Sequence, residues 1–158
     1  MLVRFTKNSP GAAADTLTCV RTDGIITTGD MPRQGVLPRA VICYVAESTL
    51  RWLDGFFGTI ARGGKCEPGR MKKSGRGGTQ HEQGLQSEAL VECLEAGLWG
   101  GATEPAKFEK SLQAACRQRA VPPPKISGDK LEALRTALRE FGAAWRPLNP
   151  GQSIERNF

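Results

Sequence analysis

Three side chains spaced one helical turn apart raise the first question of chemistry: Arg39, Cys43 and Glu47. At i, i+4 and i+8 they share one face of a helix over two turns, the arrangement by which one helix offers several ligands to a metal ion. The first position fails as a ligand, because a guanidinium stays protonated and has no lone pair to give. Cys43 and Glu47 are competent donors, but two donors do not make a site. The single histidine, His81, is the next candidate. His81-Glu82 lacks the second histidine of a zinc-protease helix, since Leu85 stands four residues on, and a surface or capping role is the plainer reading. A metal-binding or metal-dependent chain would therefore have to gather Cys43, Glu47 and His81, with Cys66 as a further donor. A Ser-His-Asp triad would likewise have to be built around His81. As a nucleophile, Cys43 would have Arg39 one turn away to stabilise its thiolate, yet no second catalytic group follows.

The second chemical signal is charge. Between residues 62 and 76 stand Arg62, Lys65, Arg70, Lys72, Lys73 and Arg76 against Glu67 alone, six minus one or +5, where the whole chain carries +6. Arg62-Gly63-Gly64 and Arg76-Gly77-Gly78 are Arg-Gly-Gly triplets, a composition that RNA-binding tails use in long arrays. Such a stretch can follow a phosphate backbone and release counterions. It has no interleaved aromatic side chain for stacking and no phosphate-binding G-x-x-x-x-G-K-[ST] spacing. A solvated loop is the plainer reading, with weak, sequence-independent contact to a nucleic acid or another polyanion as the alternative.

The five cysteines, Cys19, Cys43, Cys66, Cys93 and Cys116, are odd in number and contain no C-x-x-C pair. This argues against a disulfide framework or a zinc knuckle and for free thiols in a reducing compartment. No stretch approaches the roughly 18 apolar residues of a membrane span, and no apolar run follows the first residues as in a secretory signal. The expected location is the cytoplasm.

These residues must be positioned by a chain of 158 residues, the length of one domain, with 39% hydrophobic and 24% charged residues. Leu2–Thr6 and Leu17–Arg21 read as strands. Asp23-Gly24 reads as a tight turn into Ile25–Thr28, completing an antiparallel meander. Residues 39–53 are ambiguous, since Val41, Ile42, Tyr44 and Val45 favour a strand. The spacing of Ile42, Val45, Thr49 and Trp52 and the length of the pattern favour a helix that Gly55 ends. Residues 62–84 read as a flexible loop. Helices follow over residues 83–99, with Leu90, Val91, Leu94 and Leu98 on one face, and from Pro105, with Phe108, Leu112, Ala115 and Cys116. The last helix carries Leu131, Leu134, Leu138, Phe141 and Trp145, and Asp129 with Glu132 suggests a capping box at its start. The expected fold is a single α+β domain, a small N-terminal antiparallel β-meander packed on a bundle of about four helices.

The stretch Leu37-Pro38-Arg39-Ala40-Val41-Ile42-Cys43-Tyr44-Val45-Ala46-Glu47-Ser48-Thr49-Leu50, followed by Asp54-Gly55-Phe56-Phe57-Gly58, resembles a family of small uncharacterised bacterial proteins. Leu17–Gly24 and Ser87–Val91 are similar to that family too, so the resemblance extends over most of the chain. In the family the helix begins His-Asp, with a second histidine four residues after the first and a glutamate four beyond that. The resemblance implies a metal-binding helix, although a buried hydrogen-bonded cluster would use the same residues. Only Glu47 matches. Arg39 stands in place of the first histidine, Ala40 of the aspartate and Cys43 of the second histidine. The resulting expectation is a non-enzymatic, partner-binding or regulatory protein with a degenerate metal-site helix, no cofactor, no membrane attachment and a protein partner of unknown kind.

Overall fold

The computed structural model describes residues 1–33, 35–66, 78–100 and 104–158, the side chains of 78–81 and 99–100 excepted. The chain is α+β. Strands β1 (Leu2–Thr6), β2 (Ala14–Val20) and β3 (Ile26–Pro32) form the expected meander, and β4 (Ser153–Asn157) returns from the C-terminal end to pair with β1. The sheet order is β3-β2-β1-β4, antiparallel throughout. The turn at Asp23-Gly24 is present: Gly24 has φ +81°, its N–H donates to the Arg21 carbonyl, and the Ile25 N–H donates to Asp23 Oδ1. The left-handed conformation is what selects glycine there.

Period-2 alternation sends Val3, Phe5, Leu17, Cys19 and Met31 to one face, where they are buried. Helices α1 (Arg39–Leu50) and α5 (Gly128–Trp145) cover that face. Phe5 meets Tyr44 of α1 edge-on at 5.6 Å and Phe141 of α5 at 5.2 Å between ring centroids. Tyr44 also donates to the Asn157 carbonyl of β4 (2.8 Å), so its ring lies in the core while its hydroxyl is satisfied. On its other side α1 packs against α3 (Gly78–Gly100), and α4 (Pro105–Gln118) packs on α3.

Helix α1 is thus enclosed by the sheet, α3 and α5. Seven of its twelve residues are buried: Ala40, Val41, Ile42, Tyr44, Val45, Ala46 and Glu47. A helix buried on most faces carries no clean amphipathic stripe, which explains the mixed pattern of its sequence. It ends at Leu50 rather than Leu53, because Arg51 turns left-handed (φ 55°) and Trp52 N–H bonds back to the Glu47 carbonyl.

Two elements were not expected and two further expectations are corrected. Residues 56–61 form a short helix, α2 (Phe56–Ala61), whose Phe57 and Ile60 enter the core. Helix α3 starts at Gly78 and so takes in residues 78–84, expected as loop, while residues 67–77 of that expected loop lie outside the described residues. The cap of α5 is Ser127, whose Oγ accepts from Lys130 N–H (3.3 Å), while Glu132 instead pairs with Arg139 at 2.8 Å. The fourth strand was not expected: Ser-Ile-Glu-Arg-Asn exposes four of five residues and buries only Ile154, the profile of a strand at a sheet edge. The stripes of α4 and α5 are buried as expected, and Leu90, Val91 and Leu94 of α3 likewise.

Candidate functional site

Glu47 is fully buried on the inner face of α1, at 0% exposure. Its carboxylate sits at the N-terminus of α2. The Phe56 N–H donates to Oε1 (2.7 Å), the Phe57 N–H to Oε2 (2.9 Å) and the Gly58 N–H to Oε2 (3.4 Å). Ser87, itself buried on α3, donates its hydroxyl to Oε1 (3.3 Å). The first N–H groups of any helix lack intrahelical partners, and α2 has no capping side chain of its own at Gly55. Glu47 supplies the missing acceptors from a different helix.

The surrounding glycines make room for this arrangement. A methyl group on Gly55 would stand 2.7 Å from Glu47 Oε2 and closer still to Cδ and Oε1. A methyl on Gly58 would stand 2.9 Å from Leu53 Cα and would overlap its carbonyl. The connection between α1 and α2 is pinned from further sides. Gln83 of α3 accepts from the N–H groups of Leu53 (3.0 Å) and Asp54 (2.9 Å), and Arg62 pairs with Asp54 (3.0 Å) while donating to the Leu53 carbonyl. One carboxylate thus joins α1, α2 and α3 in the interior.

Burial pushes the Glu47 carboxyl up from 4.5 to about 7, against the opposing pull of its N–H and hydroxyl donors. Near neutral pH the group is poised between its charged and neutral forms. Cys43, one turn earlier, is only partly exposed. Its thiol is pushed up to about 12, chiefly by desolvation, then by the Glu47 charge, with Arg39 pulling the other way. It is a protonated thiol at neutral pH, not a nucleophile. At the outer end of the row Arg39 pairs with Glu95 of α3 at 2.7 Å, with about half of the Arg39 side chain exposed. The three residues of the sequence pattern do lie on one side of α1. They run from solvent at Arg39 to the interior at Glu47.

No protein family, curated protein or solved structure matches this chain.

Among the described residues, the Arg39–Cys43–Glu47 row does not fit a metal. Both Glu47 oxygens already accept hydrogen bonds, Cys43 holds its proton, and Arg39 is a cation. Among the described residues no three His, Cys, Asp or Glu side chains gather closely enough to hold an ion. The backbone of His81 lies in α3, six residues before Ser87, and its side chain is outside the described residues. The last four of the basic residues, Arg70, Lys72, Lys73 and Arg76, also fall outside them. Of the other two, Arg62 is engaged by Asp54 and Leu53, and Lys65 is exposed. Ala40, where the resemblance would put an aspartate, is buried. A carboxylate there would lose its hydration unless a partner came with it.

Sequence reasoning placed Glu47 in the right helix and missed what surrounds it: Gly55, the Phe56–Gly58 amides, Gln83 and Ser87. The readable sign was Gly55-Phe56-Phe57-Gly58 itself, two glycines bracketing two aromatics directly after a helix. Gln83 and Ser87, four apart on a helix, had no visible connection to it.

Proposed function

We propose that this chain is a non-enzymatic cytoplasmic protein of the family it resembles, acting by binding a partner, with α1 as a metal-site helix converted to a structural role. The observation that supports the reading is the commitment of the whole Arg39–Cys43–Glu47 row. Arg39 is held by Glu95, Cys43 by its own proton, and Glu47 by the amides of α2 and Ser87. A group that already accepts four hydrogen bonds in the interior would have to release a helix N-terminus before it could bind an ion. With no nucleophile, base and orienting group assembled around it among the described residues, the row is better suited to fixing three helices than to turning over a substrate. No helix among the described residues is long and apolar enough to cross a membrane.

The test is elemental analysis of the purified, dialysed protein together with thermal melts in the presence and absence of zinc. The reading requires substoichiometric transition metal and an unchanged Tm. One equivalent of zinc, iron or manganese that survives dialysis would favour the rival reading, a metal-binding protein or metal-dependent enzyme built on Cys43, Glu47 and His81.

A second reading rests on charge alone. Five of the six net positive charges of the chain fall within residues 62–76. That concentration supports weak electrostatic contact with a polyanion, indifferent to its sequence.

A further inference from the structure

Among the described residues the sheet ends in two strands, β3 and β4, and these edges are built differently. β4 carries Glu155 and Arg156 side by side, and Glu155 pairs with Arg4 at 2.6 Å. Charge on an edge strand keeps other strands from adding to it. β3 is bonded to β2 on one side and holds a single charged residue, Asp30. Its exposed residues are Ile26, Thr28, Asp30 and Pro32. Of the four exposed large apolar side chains among the described residues, Ile25 (50%), Ile26 (62%) and Val36 (46%) lie in β3 or within four residues of its ends.

The backbone of β3 presents its free groups with a fixed parity. The Arg21 N–H donates to the Ile25 carbonyl (3.0 Å), which makes Arg21 and Ile25 a bonded pair. Bonded and non-bonded pairs alternate along an antiparallel ladder, so Cys19–Thr27, Leu17–Gly29 and Asp15–Met31 are the bonded pairs that follow. Ile26, Thr28 and Asp30 therefore turn their N–H and C=O groups away from β2. Pro32, which has no N–H to offer, stands at the next outward position, where a sheet tolerates proline.

We propose that β3 is a self-association surface, on which two copies of this chain pair their β3 strands antiparallel about a twofold axis through Thr28. In this register Thr28 faces Thr28 of the second copy, and Ile26 of each copy faces Asp30 of the other. Each of these pairs exchanges two N–H···O bonds, so every outward amide of Ile26, Thr28 and Asp30 gains an acceptor. The two threonines meet on the exposed face of the sheet, a favourable cross-strand pair. Charge selects this register. It sets the two Asp30 positions four residues apart along the strands, about 14 Å, beyond the screening length of about 8 Å in physiological salt. An axis through Asp30 would set the carboxylates directly opposite. An axis through Gly29 would halve their separation and bring Pro32 into the ladder. Strands this short bury less than the roughly 1,200 Å² of a standard interface, so the dimer is weak and reversible.

The experiment is sedimentation equilibrium of the full chain, kept reduced in physiological salt, at loadings from about 1 µM to about 1 mM. The native mass should rise from one chain to two and stop there. Thr28→Lys sets two like charges opposite each other on the axis, at a position whose backbone does not bond β2, and should hold the mass at one chain throughout. Cross-linking locates the axis independently of that variant. A cysteine introduced by Thr28→Cys meets its copy at a Cα separation of about 5.5 Å, within reach of a disulfide. Mild oxidation should therefore join two copies through position 28, as mapped by mass spectrometry, while Asp30→Cys should give no link through position 30. A native chain that stays single at every loading would overturn the proposal and leave this edge to a strand from a different protein. A folded Thr28→Lys chain that dimerises like the native one, or a link through position 30 as ready as through position 28, would overturn it too.

Discussion

Replacing Gly55 with alanine places a methyl group where the Glu47 carboxylate stands, 2.7 Å from Oε2 and closer to Cδ. The carboxylate cannot swing aside without giving up the Phe56 and Phe57 amides, which hold it at 2.7 and 2.9 Å. Overpacking of this kind costs about 1–3 kcal/mol. Glu47→Ala removes the obstacle and leaves those buried amides without an acceptor, at about 1–3 kcal/mol each, less whatever is recovered by no longer burying a charge. In the Glu47→Ala background the methyl at position 55 enters space the carboxylate has vacated. There Gly55→Ala should cost no more than about 0.5 kcal/mol. The double variant should therefore be less destabilised than the sum of the two single variants by about 1–3 kcal/mol. Urea unfolding of all four proteins at pH 7.5, followed by circular dichroism, measures the coupling. Additivity within about 0.5 kcal/mol would mean that Gly55 and Glu47 do not share the space assigned to them, and the interior cap of α2 would have to be abandoned.

The carboxyl of Glu47 should also be visible in the pH dependence of stability. Its folded pKa of about 7 lies above the ordinary 4.5, so between those values the folded state binds more protons than the unfolded state. Stability from this group is therefore greatest below 4.5 and falls as pH rises to about 7, by about 3 kcal/mol on linkage grounds. Glu47→Gln should lack that contribution, and stability curves of the two proteins that run parallel from pH 4.5 to 7.5 would contradict it. In the basic segment, replacing Arg70, Lys72, Lys73 and Arg76 with serine should abolish polyanion binding while leaving Tm almost unchanged. Filter binding to mixed nucleic acid at two salt concentrations tests this, and binding that survives the replacement or ignores salt would place the contact elsewhere.

How much of this was legible in the sequence differs element by element. The stripes Phe108–Leu112–Ala115–Cys116 and Leu131–Leu134–Leu138–Phe141–Trp145 were readable because one face of each helix is wet, so polarity reports direction. The Asp23-Gly24 turn was readable because its geometry selects glycine. Helix α1 was harder, since three neighbours surround it and period alone cannot distinguish a buried helix from a strand. Its end was misplaced because the signal was a left-handed arginine, Arg51, rather than the glycine at 55. Strand β4 was missed because its partner, β1, lies more than 140 residues away and the strand buries only Ile154. The spacing of Arg39, Cys43 and Glu47 correctly placed them on one side of a helix. Spacing cannot say that the face runs from solvent into the core. It also cannot say that Glu47 meets amides contributed by residues 56–58, and that encounter decides what the carboxylate does.

The proposal that α1 is a converted metal-site helix is tested most directly by zinc calorimetry on two proteins, the native chain and Arg39→His/Cys43→His. Two imidazoles four residues apart on a helix lie about 6 Å apart at Cβ and can share one ion. Because Glu47 is committed to α2, the third ligand in the variant should be Glu95, which already faces position 39 through its ion pair. Native protein should show no saturable heat. The variant should bind one zinc, gain Tm with added metal, and lose both when Glu95→Gln is added. Stoichiometric zinc on the native chain, or a folded variant that binds none, would contradict the account.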